Sequence, residues 1–122
     1  MEDNMKKIWF LRSVHGSLLP FFIKNNCIAL GWDKIQEDLT HKNKQYIHNL
    51  LSKNYPNRET AINIWTTYFE KFIHKIAIGD LVLTYNPEDR TYLLGKITGD
   101  YQYLRSHKTY FLDQYWSHLR PL

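Results

Sequence analysis

Cysteine is almost absent from this sequence: Cys27 is the only one in 122 residues. A single cysteine cannot form an internal disulfide, and with six histidines scattered along the chain no spacing typical of a zinc site occurs. This composition is typical of a reducing compartment, so we expect a cytoplasmic protein without a metal or other cofactor. Cys27 lies in the apolar segment CIAL, where a free thiol usually behaves as a small buried hydrophobic group.

Long apolar runs are also missing. The longest, LLPFFI at residues 18–23, is far shorter than the roughly 20 apolar residues of a membrane-spanning helix. Residues 1–7 (MEDNMKK) do not have the charged-then-apolar order of a signal peptide. We therefore expect residues 1–7 to be a flexible terminus and the protein to have no membrane partner.

Motifs of known enzyme classes are missing as well. Ser13 and His15 are close in sequence, but no third group to orient the base and no GxSxG, HxxE or P-loop pattern accompanies them. Asp33, Glu37 and Asp38 form an acidic group that is more typical of a solvated loop than of a metal site. The sequence therefore predicts a protein that is not an enzyme and has no catalytic residues.

Aromatic residues and positive charge are what the chain has in excess. It contains nine Tyr and four Trp, and its net charge is +4 with an isoelectric point of about 9.1. Positive charge attracts phosphates and bases stack on aromatic rings, so the combination favours nucleic acid as the partner. Positive charge alone is weaker evidence, because many basic domains bind no polyanion.

The order of periodic segments predicts an α+β fold in a single domain, residues 8–122. The clearest helix is AINIWTTYFEKFIHKI, in which apolar residues recur every three or four positions. Ser17 is a candidate helix cap, and Pro20 falls in the first turn of the helix that follows. We expect a small, strongly bent sheet or barrel of about five to six strands flanked by about three helices. The predicted strands are residues 8–13, 27–32, 81–85 and 91–98, one near 101–105 and one within 108–119, and the predicted helices are residues 18–26, 45–55 and 61–76.

Two tryptophans are candidates for ligand binding. Trp32 follows Gly31 at the end of a predicted buried strand, where its ring either projects from the sheet edge or packs in the core. Trp65 lies on the apolar stripe of the clearest helix, which favours core packing.

Two groups at strand ends could supply polar contacts. Tyr85 and Asn86 end a predicted strand and offer a stacking face with amide hydrogen bonds, although an Asn-Pro pair also opens turns. Arg12, Ser13 and His15 leave the first strand together and can donate hydrogen bonds to a base edge or a phosphate.

Three segments together resemble a PUA-like domain of the EVE, YTH and SRA kind. They are IWFLRSVHGSLLPFFIKNNCIALGWDKI, FEKFIHKIAIGDLVLTYNPEDRTYLLGKITGDYQY and YWSHLRPL. More closely, the order of a W-x-x-R strand, an IALGW strand, an IGD-x-V-x-TY strand and a Y-x-x-G-x-I-x-GDY-x-Y meander is similar to the N-terminal DNA-reader module of Mrr-type modification-dependent restriction proteins. The similarity extends from about Ile8 to Arg120.

This resemblance implies a twisted β-barrel flanked by helices that takes one base, often methylated, out of the stack and holds it in an aromatic pocket. Trp32 matches the tryptophan that follows the second strand in such readers. The other positions that the resemblance assigns to the base, the backbone or the pocket wall are Arg12, Ser13, His15, Trp65 and Tyr85.

The expected function is a non-enzymatic reader of modified (methylated) DNA, in particular double-stranded DNA, which targets an attached or partner nuclease in a restriction or defence system. Two alternatives stay open. One is an RNA-binding module of the same superfamily, and the other is an interaction domain whose aromatic pocket holds a small molecule or a protein.

Overall fold

The computed structural model describes residues 7–122. Residues 1–6, most of the segment expected to be flexible, lie outside the described residues. The amide of Lys7 donates to the carboxylate of Asp80, and its carbonyl accepts from the amide of Leu81. The elements are β1 (Ile8–Phe10), α1 (Leu19–Asn25), β2 (Cys27–Leu30), α2 (Lys44–Asn54), α3 (Glu59–Glu70) with a π-helical extension (Lys71–Lys75), β3 (Leu81–Asn86), β4 (Thr91–Lys96), β5 (Gln102–Tyr103), a 3₁₀ turn (His107–Thr109), β6 (Tyr110–Phe111), β7 (Gln114–Tyr115) and β8 (His118–Pro121).

The predicted α+β class is confirmed, and each predicted helix is present. In residues 7–122 eight strands form three sheets with the orders β1-β3-β4, β2-β8-β5 and β6-β7, and none of these sheets closes into a barrel. The strand number exceeds the predicted five to six because the last predicted strand is divided. Leu112 and Asp113 both adopt the left-handed backbone conformation and make a two-residue hairpin turn between β6 and β7, which suits the twist of the paired strands.

Helix boundaries follow from capping residues and from proline. Asn43 caps α2, since its side chain accepts a hydrogen bond from the amide of Tyr46. Pro20 lies in the first turn of α1 as predicted, but the Ser17 cap is wrong, because Leu18 precedes the helix and makes no side-chain cap. Within the described residues no helix is both long enough and apolar enough to cross a membrane.

The chain folds as two compact units, which we describe separately. Unit 1 comprises Met1–Ile28, Ile76–Asp100 and Arg120–Leu122, described from Lys7 onward. In its sheet β1 lies parallel to β3, and β3 is antiparallel to β4. Its core includes Phe22, Val82 and Ile97, all buried.

Unit 2 comprises Ala29–Lys75 and Tyr101–Leu119. Helices α2 and α3 pack on each other, and Leu39, Leu51 and Phe69 are fully buried. The expectation of one domain over residues 8–122 stays a prediction.

Asp80, the acidic residue of the IGD segment, fastens the first strand of unit 1. One of its carboxylate oxygens accepts hydrogen bonds from the indole N–H of Trp9 and the amide of Ala77, both at 2.9 Å, and the other accepts from the amide of Lys7. Burial raises the pKa of Asp80, but these hydrogen bonds and the charge of Lys7 outweigh burial, so the pKa lies below its usual value. Trp9 and Asp80, from two of the segments that carried the resemblance, therefore have a structural role.

Cys27 is buried in β2, and burial raises the pKa of its thiol to about 11. Because the thiolate is the reactive form, we expect native protein at pH 8 to react with iodoacetamide about 100-fold more slowly than an unperturbed thiol. Mass spectrometry of labelled protein, native and in urea, measures this ratio. Equal rates in the two conditions would show that the thiol is accessible in the folded protein.

Candidate functional site

The seven residues selected from the sequence fall into two groups. Five belong to unit 1 and two belong to unit 2, so we describe each group within its own unit. The unit 1 group is Arg12, Ser13, His15, Tyr85 and Asn86, and the unit 2 group is Trp32 and Trp65.

The unit 1 group lies at the edge where β1 and β3 end. Because these strands are parallel and Phe10 pairs with Leu83, the residues that follow β1 meet the end of β3. The hydroxyl of Ser13 lies 3.4 Å from the carbonyl oxygen of Tyr85, in donor position. The structure thus brings these two predicted residues together.

The loop after Ser13 has an unusual backbone. Val14, His15 and Gly16 all have positive φ, with values of 52°, 54° and 89°, and the amide of Leu18 donates to the carbonyl of Ser13. A Cβ at position 16 would lie 2.5 Å from the side-chain oxygen of Asn86, so this position requires glycine both for its φ and for space.

Two polar side chains of this group, Ser13 and Asn86, already form hydrogen bonds within the fold. The side-chain oxygen of Asn86 accepts from the amide of Glu88, which is the turn role that the Asn-Pro pair indicates. Ser13 is buried, whereas Arg12 and His15 are exposed. Tyr85 is exposed and its ring lies 4.8 Å from that of Tyr92. The side chains open to a ligand here are therefore Arg12, His15 and Tyr85.

In unit 2, Trp32 has a strained backbone at the end of β2. Its φ is 54°, a conformation that costs a bulky side chain about 1–3 kcal/mol. The preceding Gly31 allows close packing, because a Cβ there would lie 2.9 Å from Cζ3 of Trp116. The carbonyl of Trp32 then accepts from the amide of Ile35, which closes a turn. Strain of this kind, held by surrounding packing, is typical of functional positions.

The ring of Trp32 packs against helix α3. Its centroid lies 5.7 Å from Trp65, 6.4 Å from Tyr68 and 5.1 Å from Phe69, and Tyr55 lies 5.4 Å from Trp65. We call these five residues the Trp32 cluster. All pairs are tilted or edge-to-face, which is the favoured arrangement for aromatic rings. The two predicted tryptophans are therefore in direct contact.

The Trp32 cluster is only partly enclosed, and cations lie over its rings. Phe69 is fully buried, Trp32 and Trp65 are half-buried, and Tyr68 is exposed. The guanidinium of Arg58 is 5.5 Å from the centre of the Trp65 ring, and the ammonium of Lys34 is 5.2 Å from that of Tyr55. Partly exposed rings with adjacent cations are the combination that binds stacked bases beside phosphates.

The spacing of the rings determines how a planar ligand can bind. A base between two parallel rings needs centroids about 7 Å apart, twice the contact distance of carbon atoms. Trp32 and Trp65 are closer than this and inclined by 61°. The space between these two rings is therefore too small for a planar ligand, and the ring surfaces that such a ligand could reach are the outer faces.

Buried hydrogen bonds fix the segment that follows Trp32. The Nε2 of His118 lies 2.9 Å from the carbonyl of Ile35, which can only accept, so Nε2 carries the proton. Its Nδ1 then accepts from the hydroxyl of Tyr101 at 2.7 Å, and that hydroxyl accepts from the amide of Leu39. Burial lowers the pKa of His118 to about 4, against the opposing effects of Ile35 and the Asp38 charge. A neutral imidazole therefore holds this segment in one conformation.

The segment is fastened at a second place beside Trp32. Asp33 forms an ion pair of 2.6 Å with Arg105, whose guanidinium stacks 4.0 Å from the centre of Tyr115. The amide of Lys34 donates to the hydroxyl of Tyr55. These contacts reduce the freedom of Trp32 before any ligand binds, which lowers the entropic cost of binding.

Two open depressions lie near α3. One, of about 410 Å³, surrounds the start of the helix and is lined by Arg58 and Ile64, among others. The second, of about 490 Å³, lies between α2 and α3, and its lining includes the polar residues Lys44, His48 and Asn63. Neither lining includes a ring of the Trp32 cluster, and the first depression is connected to the cluster through Arg58, whose guanidinium lies over Trp65.

Sequence reasoning missed four members of this surface: Lys34, Tyr55, Arg58 and Tyr68. Tyr68 had a usable signal, because it follows Trp65 by three positions on one helix and so shares its face. Arg58 and Tyr55 had none, since their contacts with Trp65 depend on how the chain turns between α2 and α3.

The part of the chain that the structure describes holds no group of three or more His, Cys, Asp or Glu that could bind a metal ion.

Residues 14–121 match the model of one protein family. That family is described as Domain of unknown function (DUF8426). The comparisons with curated proteins and with solved structures give no match.

Proposed function

The chain belongs to the DUF8426 family, and we propose that it is a non-enzymatic reader of modified DNA. The observation that carries the proposal is the Trp32 cluster: a half-exposed tryptophan in a strained backbone conformation, with Arg58 and Lys34 over the neighbouring rings. The base stacks on Trp32 or Trp65, and the cations face the phosphates.

The energies are compatible with base flipping. Taking a base out of a duplex costs a few kcal/mol, and stacking on an aromatic ring returns about 1–3 kcal/mol per ring. Trp32 is already held in place by the hydrogen bonds and the ion pair beside it, so little binding energy is lost in ordering it. A methyl group on the base adds apolar contact with the ring.

We further propose that the fold is PUA-like, with a bent sheet of the kind implied by the resemblance, and that the protein acts in the cytoplasm. Support for the fold comes from the positions of the motif residues: Trp32 follows the end of β2 after one residue, Gly31, and Asp80 directly precedes β3. The reader then directs a nuclease, attached or separate, to modified double-stranded DNA.

Binding of short duplexes tests the proposal. We expect duplexes that contain N6-methyladenine or a modified cytosine to bind more tightly than the unmodified duplex, and Trp32→Ala to weaken that binding by about tenfold or more. Fluorescence anisotropy at one stated salt concentration measures both. Equal affinity for all duplexes, unchanged in Trp32→Ala, would falsify the proposal.

Matched variants separate a specific effect from a general one. Tyr68→Ala should weaken binding, whereas Tyr110→Ala, at an exposed tyrosine outside the Trp32 cluster, should not. Arg58→Ala should reduce the slope of log binding constant against log salt concentration by about one, the value for one phosphate contact, whereas Lys71→Ala should leave this slope unchanged.

If matched RNA binds more tightly than DNA, the RNA-binding alternative is correct. If a metabolite and no nucleic acid raises the melting temperature, the small-molecule alternative is correct.

A further inference from the structure

One face of the β1-β3-β4 sheet in unit 1 is apolar and open to solvent. Ile8 pairs with Leu81, Phe10 with Leu83, and Leu83 with Leu94, so these side chains share one face of the sheet. Tyr85 and its partner Tyr92 extend the same face. The exposed fractions are 79% for Phe10, 62% for Tyr92, 59% for Leu94, 56% for Ile8 and 40% for Tyr85. We call this surface the open face.

The opposite face of the same sheet is the buried one. Val82 and Thr84 alternate with the residues of the open face and are almost completely buried. A sheet with one face on the core normally has polar residues on its solvent side. Here both sides are apolar, and a contiguous exposed apolar patch is typical of a binding surface.

We infer that the open face binds a second copy of this chain. The five exposed side chains present about 500 Å² of apolar surface. Two such faces together bury about 1,000 Å², which reaches the lower limit of a specific protein interface and corresponds to a reversible dimer.

The charges around the open face also suit a two-fold arrangement. Lys96 lies at one end of the hairpin, whereas Glu88 and Asp89 lie in the turn at the other end, beside Arg90. A two-fold axis that lies in the plane between the two faces, perpendicular to the strands, reverses the strand direction and brings Lys96 of each copy to the turn of the other. The same carboxylates repel phosphates, which favours protein over nucleic acid here.

Sedimentation equilibrium of the full chain, from about 1 to 500 µM, tests the inference. We expect a reversible dimer for the wild type and at least a tenfold larger dissociation constant for the double variant Phe10→Ser, Leu94→Ser. Ile23→Ser, at an equally exposed apolar residue of α1, should dimerise like the wild type. Tyr92→Lys gives a second, independent disruption, and circular dichroism checks that each variant is folded.

A wild type that stays monomeric over this range overturns the inference, as does an equal loss of dimer in Ile23→Ser. If the monomer instead binds single-stranded DNA and the double variant does not, the open face is a nucleic-acid surface and the dimer is rejected. None of these results depends on whether Trp32 binds a modified base.

Discussion

Replacing Arg120 by methionine is expected to lower the free energy of unfolding by about 3 kcal/mol. Arg120 is among the most buried side chains of the protein, with 2% of its surface exposed. Its Nε donates to the carbonyl of Gly99 at 3.0 Å, and a terminal nitrogen donates to the carbonyl of Ile76 at 2.6 Å. Methionine fills a similar volume but leaves both carbonyls without these donors.

The penalty is large because the guanidinium ties together three separate chain segments within unit 1. Gly99 and Ile76 lie 21 and 44 positions from Arg120 in sequence. The side chain of Arg120 therefore links segments that are distant along the chain. Each buried carbonyl left unsatisfied costs about 1–3 kcal/mol. Urea unfolding at pH 7.5 measures the change.

Arg105→Met is the matched control for this experiment. Arg105 makes the ion pair with Asp33, but both partners are partly exposed to solvent, so its loss should cost less than about 1 kcal/mol. If the two variants are equally stable, the bonds of Arg120 do not contribute as the structure indicates.

The second large effect is a loss of stability in mild acid caused by His118. The unfolded imidazole has its ordinary pKa of 6.5, whereas burial lowers the folded pKa to about 4. Between these pH values His118 binds a proton in the unfolded state but not in the folded state. The contribution of His118 is therefore complete above pH 6.5 and is lost as the pH falls to about 4, amounting to about 3 kcal/mol.

Urea unfolding at several pH values between 7.5 and 4 measures this dependence. In His118→Gln an amide can still donate to Ile35 and accept from Tyr101. The free energy of unfolding of this variant should therefore fall clearly less between pH 7.5 and 4 than that of the wild type. His74→Gln removes an exposed histidine and should keep the steep fall. An identical pH dependence in wild type and His118→Gln would show that His118 is not protected from protonation.

The acid effect has a consequence for the proposed reader. His118 and Tyr101 hold Ile35 and Leu39, and these residues belong to the segment that follows Trp32. Once His118 is protonated, its Nδ1 can no longer accept from Tyr101. In the folded protein this protonation occurs only near pH 4, so binding that depends on Trp32 should persist while the free energy of unfolding falls and should weaken only near pH 4.

Local patterns predicted the helices well. The three-to-four-residue spacing of apolar positions located α3 to within a few residues of its observed start, because a helix buries one stripe wherever it packs. Pro20 correctly marked the first turn of α1. The Ser17 cap was wrong because the left-handed turn of Val14 and His15 is followed by a helix that starts one residue later, with Leu18 at the cap position.

Site prediction was limited by contacts between distant residues. Trp32 and Trp65 were selected singly, and only packing shows that their rings touch. Arg58 and Lys34 acquire a role solely through their positions over the rings of Trp65 and Tyr55. Packing also decides which group of candidate residues has the larger aromatic surface, the group in unit 1 or the group in unit 2.

The sequence by itself determined the α+β class, the positions of the helices, the strands β3 and β4, and the aromatic and basic residues available for binding. These follow from periodicity, turn residues and composition, which act over a few neighbouring positions. Tertiary structure alone decided that His118 is neutral, that Arg120 is buried, that Trp32 is strained against α3, and that the open face of unit 1 remains apolar and exposed. Each of these depends on residues far apart in the chain, and burial and pairing at such distances are set by packing and not by local pattern.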